Sequence, residues 1–177
     1  MNTICFGDSN TYGYDPRSYL GGRYDADCRW VDILAAETGW MVCNMGQNGM
    51  EIPATAPVFP ADTDLLIVML GTNDLLQGKS PEQAIESLER FLFNIALDRS
   101  KIMLIAPPPM VQGEWVASQQ LIDASKTYAR CCRELAERMG IRFADAGKWD
   151  IPLAYDGVHF TAQGHKAFAA GLLEELR

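Results

Sequence analysis

The sequence predicts an α/β fold, in which helices cover both faces of a mostly parallel sheet. Two observations support this prediction. Apolar runs of strand length alternate with amphipathic runs of helix length, as in a parallel sheet that is buried on both faces. The chain has 177 residues, of which 48% are hydrophobic, and this is the size and composition of one ordinary globular domain. We therefore expect residues 1–177 to form a single three-layer α/β/α domain around a five-stranded sheet.

Five apolar runs are predicted strands, and four amphipathic runs are predicted helices. The strands are 3–6, 41–44, 64–70, 102–106 and 141–144. The helices lie near 29–38, 81–98, 117–139 and 162–176. Ser80, Pro81 and Gln83 predict a capping box at the start of the second helix. Thr161 predicts a similar start for the last helix.

Charge and hydropathy narrow the range of partners. The formal net charge is −8 and the isoelectric point is near 4.7, whereas nucleic-acid binding usually needs a basic stripe. No apolar run approaches the ~20 residues that cross a bilayer, and the sequence does not open with a basic region followed by a long apolar segment. We therefore expect a cytoplasmic protein that binds neither nucleic acid nor a membrane.

The cysteines indicate a reduced protein without a metal site. The chain has five of them: Cys5, Cys28, Cys43, Cys131 and Cys132. Their spacing matches neither a zinc site nor a redox Cys-x-x-Cys pair. We expect them to be free thiols that are mostly packed, and we expect neither a metal nor a cofactor.

Polar clusters follow three predicted strands at the points where those strands end. GDSN occupies 7–10, NMGQNG occupies 44–49 and GTND occupies 71–74. Ligands of open parallel sheets bind beyond the carboxyl ends of the strands, so the three clusters should share one edge of the sheet. A fourth cluster, DGVHF at 156–160, precedes the last helix and contributes an Asp and a His three residues apart. This spacing on a turn lets the carboxylate reach the imidazole.

These clusters contain the side chains that nucleophilic catalysis requires. A serine hydroxyl attacks a carbonyl only when an imidazole takes its proton and a carboxylate holds that imidazole in the right tautomer. Ser9, His159 and Asp156 can fill these three roles. His165 is the only other histidine, but it lies inside the last predicted helix without an acid three residues before it. We therefore expect His165 to serve packing or the surface.

A tetrahedral intermediate would also need hydrogen-bond donors for its oxyanion. Backbone N–H groups next to glycine and an amide side chain are the usual donors. The candidates here are the N–H of Ser9, the N–H of Gly46 or Gly49, and the side-chain amide of Asn73. Glycines in these clusters also fit tight turns, so the residues alone leave the choice between Gly46 and Gly49 open.

Taken together, the four clusters resemble the marker blocks of the SGNH (GDSL-type) hydrolase family. They occur in the family's order and extend over nearly the whole chain. The resemblance implies a flavodoxin-like three-layer fold, with Ser9 as nucleophile, His159 as base and Asp156 as its orienting acid. It also implies Ser9, Gly49 and Asn73 as oxyanion donors, where Gly49 rather than Gly46 follows from the family's N-x-G-x-x-G pattern. No metal or cofactor belongs to this chemistry.

One departure and three smaller matches bear on the substrate. Asn10 stands where the leucine that gives the family its name would be. The opening GDSNTYGYDP, with RW at 29–30 and APPP at 106–109, resembles the arylesterase and acetyl-esterase branch. This resemblance implies a small ester with a short acyl group as substrate and a homo-oligomer as assembly. A carbohydrate acetyl-esterase or an acyl-thioesterase with the same site remains an alternative.

Several neighbouring residues have structural interpretations. Asp8 is expected to bond backbone amides around the serine, and Asp74 and Asp145 are expected to cap helices or turns. Three aromatic residues are candidates for the acyl or leaving-group pocket: Tyr12, Tyr14 and Trp115. Few residues remain outside strands and helices, so we expect an open site without a long lid.

Two functions from other classes are alternatives to ester hydrolysis: a flavin or nucleotide-binding module and a metal-dependent phosphoesterase. A flavin or nucleotide-binding module could use the polar loop after the first strand, but Asp8 would repel a phosphate there and the usual glycine-rich phosphate motifs are absent from the sequence. A metal-dependent phosphoesterase could use the GDS and GTND segments. Two-metal sites recruit several histidines, however, and the chain has only two. Both functions are therefore disfavoured.

Overall fold

The computed structural model describes residues 1–18 and 20–177 and contains a five-stranded parallel sheet. The strands are β1 (Asn2–Gly7), β2 (Met41–Gly46), β3 (Leu65–Met69), β4 (Ile102–Ala106) and β5 (Arg142–Asp145). The helices are α1 (Ser9–Tyr12), α2 (Trp30–Thr38), α3 (Thr72–Leu76), α4 (Pro81–Phe93), α5 (Gln119–Met139) and α6 (Ala162–Glu175). Two 3₁₀ turns, Arg99–Lys101 and Ala146–Lys148, precede β4 and follow β5. The predicted α/β class and parallel sheet are confirmed.

The order of the strands in the sheet is β2-β1-β3-β4-β5, and every neighbouring pair is parallel. β1 therefore lies between β2 and β3. Gly7, its last residue, pairs with Gly46 at the end of β2 and with Met69 at the end of β3. The segments that leave these three strands consequently begin side by side at one edge of the sheet.

Apolar side chains fill the space on both faces of the sheet. All five residues of β3 are buried, which is why its sequence is continuously apolar rather than alternating. One cluster packs α4 and α5 against one face around Phe6, Leu88 and Tyr128. The second packs α2 and α6 against the other face around Trp30 and Phe168. The two clusters are the two cores of a three-layer α/β/α arrangement.

The predicted helix starts are present. Ser80 Oγ accepts from the backbone N–H of Gln83, and the Gln83 side chain accepts from the backbone N–H of Ser80, which completes the capping box. Thr161 Oγ1 caps α6 by accepting from the N–H of Gly164 at 2.9 Å. Within the described ranges, no helix combines the length and the apolar composition needed to span a bilayer.

The structure differs from the sequence-based boundaries in two ways. α4 ends at Phe93, although apolar periodicity predicts a helix as far as residue 98. Asn94 bonds back to the Arg90 carbonyl through its side chain, and Ile95 stays buried without helical backbone. The short helices α1 and α3 were not predicted, because four and five residues are too few to show a helical period.

Candidate active site

The turn after β1 places Ser9 at the edge of the sheet. Asp8 caps α1, because its Oδ1 accepts from the backbone N–H of Asn10 at 2.9 Å. A side chain on Gly7 would collide with Thr11 Oγ1 and, at 2.6 Å, with the Met69 carbonyl oxygen. Glycine at position 7 therefore lets the chain turn tightly against β3 so that Ser9 opens the helix.

Asp8 has the structural contacts expected of it. It is buried, and burial raises its pKa from 3.8 to about 6, although the hydrogen bond from Asn10 opposes the shift. Asp8 thus holds the backbone next to Ser9, although burial removes its carboxylate from water and disfavours the charged form.

Ser9, His159 and Asp156 form a continuous chain of hydrogen bonds. The distance from Ser9 Oγ to His159 Nε2 is 3.0 Å, and that from His159 Nδ1 to Asp156 Oδ2 is 2.7 Å. The exposed fractions are 5% for Ser9, 3% for His159 and 1% for Asp156, so bulk water barely competes for these bonds. The structure therefore brings together the three residues that the sequence nominated, from positions up to 150 residues apart.

The protonation of this chain follows from the surroundings of Asp156. Burial disfavours the carboxylate, but hydrogen bonds from the His159 ring and from the backbone N–H groups of His159 and Val158 outweigh it and lower the Asp156 pKa. An ionised Asp156 accepts the Nδ1 proton of the imidazole. Nε2 then carries a lone pair facing the Ser9 hydroxyl. This arrangement can remove the hydroxyl proton as Ser9 attacks a carbonyl carbon.

Asn73 and the turn after β2 lie next to each other. Asn73 is in α3, and its Nδ2 donates to the Met50 carbonyl at 3.0 Å. A side-chain amide carries two N–H protons, and this bond uses one of them. Gly49 directly precedes Met50 and adopts a left-handed φ of 71°. The side chain of Asn73 therefore binds the residue that directly follows Gly49, the other predicted donor.

The backbone N–H of Gly46, the other candidate donor, already has a hydrogen-bond partner. Its backbone N–H donates to Asn44 Oδ1 at 2.9 Å, and a side chain at this position would collide with the backbone nitrogen of Tyr12. Gly46 thus lets α1 approach β2 closely, and its N–H already has a partner. A Cβ at Gly49, in contrast, would meet no atom within 4 Å. Because the N–H of Gly46 already has a partner, the N–H of Gly49 is the candidate for an oxyanion contact.

Two of the three aromatic residues predicted as pocket candidates, Tyr14 and Trp115, flank His159. The ring of Tyr14 lies edge-on at 4.7 Å from the imidazole, and that of Trp115 lies edge-on at 5.0 Å. Trp115 is 52% exposed, so one part of its ring faces solvent beside the site. The ring of Tyr12 instead lies under the guanidinium of Arg23 at 4.5 Å.

The Trp115 loop is attached to the turn that carries the acid and the base. The N–H of Trp115 donates to the Asp156 carbonyl at 3.1 Å, and that of Val111 donates to the Gly157 carbonyl at 3.1 Å. A side chain on Gly113 would collide with the backbone at Asp156 and Gly157. Sequence reasoning missed this backbone pairing, since its only signal is an isolated glycine in a loop.

Three other polar residues near the sequence motifs, Asp145, Asp74 and His165, have structural roles. Asp145 Oδ1 caps a 3₁₀ turn by accepting from the Gly147 N–H, as expected. Asp74, in contrast, does not cap a turn, because it is fully buried and binds the Ile52 N–H at 2.9 Å and Lys79 Nζ at 2.7 Å. His165 packs edge-on against the rings of Tyr24 and Phe160, as expected of a packing residue. Burial lowers its pKa to about 3, so it is neutral.

The cysteines are free thiols, as the sequence predicts. All five cysteines are free within residues 1–18 and 20–177. Burial raises the pKa of Cys5 and of Cys132 well above that of an ordinary thiol. Over the same ranges, no group of three or more His, Cys, Asp or Glu side chains is arranged to hold a metal ion.

Comparison with solved structures identifies the fold. The chain has 28% identity and a TM-score of 0.81 to an Agrobacterium tumefaciens str. C58 protein assigned as an arylesterase, over 99% of this chain and 98% of that one. A carbohydrate acetylesterase family member from Sinorhizobium meliloti matches at 24% identity and a TM-score of 0.82, over 99% and 97%. An aryl esterase from M. smegmatis matches at 24% and 0.78, over 99% and 98%. At 24% identity, the last two matches support the fold alone.

Comparison of sequences identifies the family. The chain is 27% identical over 174 residues to the GDSL esterase/lipase CPRD49 of Arabidopsis thaliana, and the match covers 82% of this chain. It spans 66% of the plant protein, slightly less than two thirds of its length. The GDSL-like Lipase/Acylhydrolase family profile matches residues 5–167, which include all four polar clusters. The chain therefore belongs to the GDSL-like lipase/acylhydrolase family of SGNH hydrolases.

Proposed function

We propose that this protein is a carboxylic ester hydrolase, which hydrolyses short-chain acyl esters, acetyl or aryl, through a Ser9-His159-Asp156 triad and an acyl-enzyme intermediate. The observation that carries the proposal is the buried hydrogen-bond chain from Ser9 Oγ through the imidazole to the Asp156 carboxylate. It lies at the carboxyl edge of a parallel sheet, where ligands of such folds bind. A serine aligned in this way has an internal base and needs no metal to be activated.

In the first half-reaction, Ser9 Oγ attacks the ester carbonyl carbon while its proton moves to His159 Nε2. The carbonyl oxygen becomes an oxyanion, for which the N–H groups of Ser9 and Gly49 and the free N–H of Asn73 are the donors. The intermediate collapses, and the bond from carbon to the leaving oxygen breaks. His159 gives the proton to the departing alcohol, which leaves the acyl group on Ser9.

In the second half-reaction, water replaces the alcohol. His159 Nε2 takes a proton from the water as its oxygen attacks the acyl carbon, and the same donors hold the new oxyanion. The bond from carbon to Ser9 Oγ then breaks, and the proton returns to Ser9. Asp156 stays ionised throughout and stabilises the imidazolium that forms in both halves. The products are one alcohol and one carboxylic acid.

The surroundings of His159 support an aryl or acetyl ester. The half-exposed ring of Trp115 and the ring of Tyr14 form an apolar wall beside the imidazole, where a leaving group would lie. An exposed tryptophan can stack on an aryl group. The 28% identical neighbour, assigned as an arylesterase, supports the same substrate class. The flat face of the Trp115 ring also suits a sugar, so a carbohydrate acetyl-esterase is the second candidate.

The test is hydrolysis of p-nitrophenyl acetate, butyrate and octanoate in the presence of a strong chelator. We compare the native chain with Ser9→Ala and with Ser87→Ala, which removes a hydroxyl on α4 away from the site. We expect the native chain to hydrolyse the acetate faster than the octanoate. Ser9→Ala should abolish the acetate turnover, whereas Ser87→Ala should retain it. Equal turnover by the native chain and Ser9→Ala would refute the proposed nucleophile.

The two candidate substrate classes are separated by one further comparison. Phenyl acetate and a fully acetylated monosaccharide present the same acyl group on different alcohols. An arylesterase has the higher kcat/KM for phenyl acetate, and a carbohydrate acetyl-esterase has the higher value for the acetylated sugar. The ratio of the two values, rather than either value alone, assigns the leaving group.

A further inference from the structure

The side chain of Asn10 bonds to the backbone on both sides of His159. Its Nδ2 donates to the Val158 carbonyl at 3.2 Å, and its Oδ1 accepts from the Phe160 N–H at 2.9 Å. Asn10 directly follows Ser9 and is only 4% exposed. One amide therefore connects the helix that begins with Ser9 to the turn that carries His159.

The backbone of Asn10 is itself fixed. Its N–H donates to Asp8 Oδ1 at 2.9 Å, and its carbonyl accepts from the indole Nε1 of Trp30, also at 2.9 Å. Trp30 belongs to the core between α2 and α6 and is 1% exposed. The amide of Asn10 thus projects from a rigid base.

The turn at 156–160 needs an external connection of this kind. Asp156 Oδ1 accepts from the N–H groups of Val158 and His159, which holds the imidazole near its own acid. Those bonds are internal to the turn and move with it, so they do not fix His159 relative to Ser9. Among the described residues, the hydrogen bonds that join this turn to residues 7–12 are the two from Asn10 and the Ser9–His159 contact itself.

We propose that Asn10 is a positioning residue that holds the His159 imidazole at hydrogen-bond distance from Ser9 Oγ. This inference rests on the proposed function of those two residues. A leucine has nearly the same size and would fill the space, but it would leave the Val158 carbonyl and the Phe160 N–H without their partners. Asn10 therefore acts on catalysis through the backbone of the base and does not touch the substrate.

The first test is Asn10→Leu, with kcat expressed per active site. A phosphate triester that releases p-nitrophenol stoichiometrically on reaction with a serine hydrolase counts the sites that remain competent. We expect kcat per counted site for p-nitrophenyl acetate to fall about 10- to 100-fold, since a displacement of about 1 Å between reacting groups has effects of this size. We expect KM to change little. A purely structural role would reduce the number of sites and leave kcat per site unchanged.

Thr11→Val is the matched control for this variant. Thr11 is the next residue in α1 and is as buried as Asn10, and its hydroxyl has no hydrogen-bond partner. Valine has the same shape, so kcat per site should stay within about twofold of the native value.

The second variant, Asn10→Asp, keeps the size of the side chain and tests the hydrogen-bond pattern. An ionised carboxylate can accept from Phe160 but faces the Val158 carbonyl with a lone pair. Its protonated form can donate to that carbonyl and accept from Phe160, as the amide does. Burial and the nearby Asp8 favour the protonated form. The ratio of its kcat per site to that of the native chain should therefore rise as the pH falls from 8 to 6.

The outcomes separate this inference from the proposed function. If Ser9→Ala is inactive while Asn10→Leu retains the native kcat per site, the positioning role of Asn10 is wrong and the triad is unaffected. If Asn10→Leu does not fold, Asn10→Asp decides: a ratio of its kcat per site to the native value that is independent of pH refutes the positioning role of Asn10. If Ser9→Ala is as active as the native chain, the proposed function itself is wrong.

Discussion

Lys79 Nζ lies 2.7 Å from Asp74 Oδ1, and this ion pair supports the part of the site that contains Asn73. Asp74 is fully buried, while the Lys79 side chain is 35% exposed and also reaches Glu51 Oε2 at 2.9 Å. The other Asp74 oxygen accepts from the Ile52 N–H. Because Asn73 binds the Met50 carbonyl, two adjacent side chains of α3 hold the segment that follows Gly49.

Replacing Lys79 should destabilise the protein. Lys79→Met leaves a buried carboxylate with the Ile52 N–H as its remaining partner, and an uncompensated buried charge is costly. Since the ammonium is partly exposed, we expect a loss of about 1–3 kcal/mol in the free energy of unfolding. Urea denaturation measures the loss. Lys126→Met, which removes a surface lysine 3.9 Å from Asp123, should change stability by less than about 0.5 kcal/mol; equal losses in both variants would contradict the argument.

Asp156→Asn should inactivate the enzyme without unfolding it. The amide can donate to His159 Nδ1, which would leave the imidazole proton on Nε2, where it cannot take the Ser9 proton. We expect kcat for p-nitrophenyl acetate to fall about 10³- to 10⁴-fold, by analogy with other serine triads. Asp123→Asn on the exposed side of α5 is the control and should keep native activity. A decrease of less than tenfold in Asp156→Asn would show that the acid does not set the tautomer.

Activity should decline on acidification because the base must be neutral. The pKa of Asp156 is lowered, so this carboxylate resists protonation and does not cause the decline. Protonation of the imidazole removes its ability to accept the Ser9 proton, so we expect kcat/KM for a short ester to fall on the acidic side of the profile. The measurement is a pH profile of kcat/KM, and a flat profile with chemistry rate-limiting would contradict His159 as base.

Asp8 can also affect the profile, so the profile needs a control. The pKa of Asp8 is raised to about 6, so this side chain takes up a proton on the acidic side of the profile. Asp8→Asn keeps an oxygen that can accept from the Asn10 N–H and removes the titration. If the decline reports the base, it persists in Asp8→Asn. If the decline disappears there, the ionisation of Asp8 limits activity instead.

Trp115→Ala should change selectivity between leaving groups. The half-exposed indole is placed to contact an aryl group, and an aromatic contact contributes about 0.5–1.5 kcal/mol. We therefore expect kcat/KM for phenyl acetate to fall up to about tenfold more than kcat/KM for ethyl acetate. Phe93→Ala removes an exposed aromatic ring on α4 and should leave the ratio unchanged. If kcat/KM falls by the same factor for both esters, Trp115 supports His159 and does not contact the leaving group.

The strands and four site residues could be predicted from the sequence because these features are encoded locally. Continuous apolar runs mark buried parallel strands, and the strand ends place Ser9 and Asn73 at one edge. The short spacing between Asp156 and His159 reveals their contact within one turn. That His159 also reaches Ser9 follows from topology, since strand order brings distant segments together.

Other features depend on contacts that no pattern in the sequence displays. The choice of Gly49 over Gly46 is favoured by the bond from the Gly46 N–H to Asn44, which the sequence does not reveal. Asn10 was visible only as a departure from the family's leucine, and its two partners are 148 and 150 residues away. Asp74 looked like a cap because its partner Ile52 lies in a segment without regular structure.

Stability should fall with rising pH because of Asp8. Its pKa is near 3.8 when unfolded and about 6 when folded, so the unfolded chain loses the proton first as the pH rises. The stability associated with the protonated form is complete below pH 3.8 and is lost as the pH rises to about 6, by an amount of about 3 kcal/mol in total. In Asp8→Asn this loss is absent. Asp8→Asn should therefore gain stability relative to the native chain as the pH rises. The free energy of unfolding of Asp8→Asn minus that of the native chain should be up to about 3 kcal/mol larger at pH 7.5 than at pH 4. Urea denaturation at the two pH values measures this difference, with the exposed Asp123→Asn as a control that shows little of it. A difference between Asp8→Asn and the native chain that does not change with pH would mean that Asp8 is solvated enough to ionise normally, and its burial around Ser9 would carry no cost.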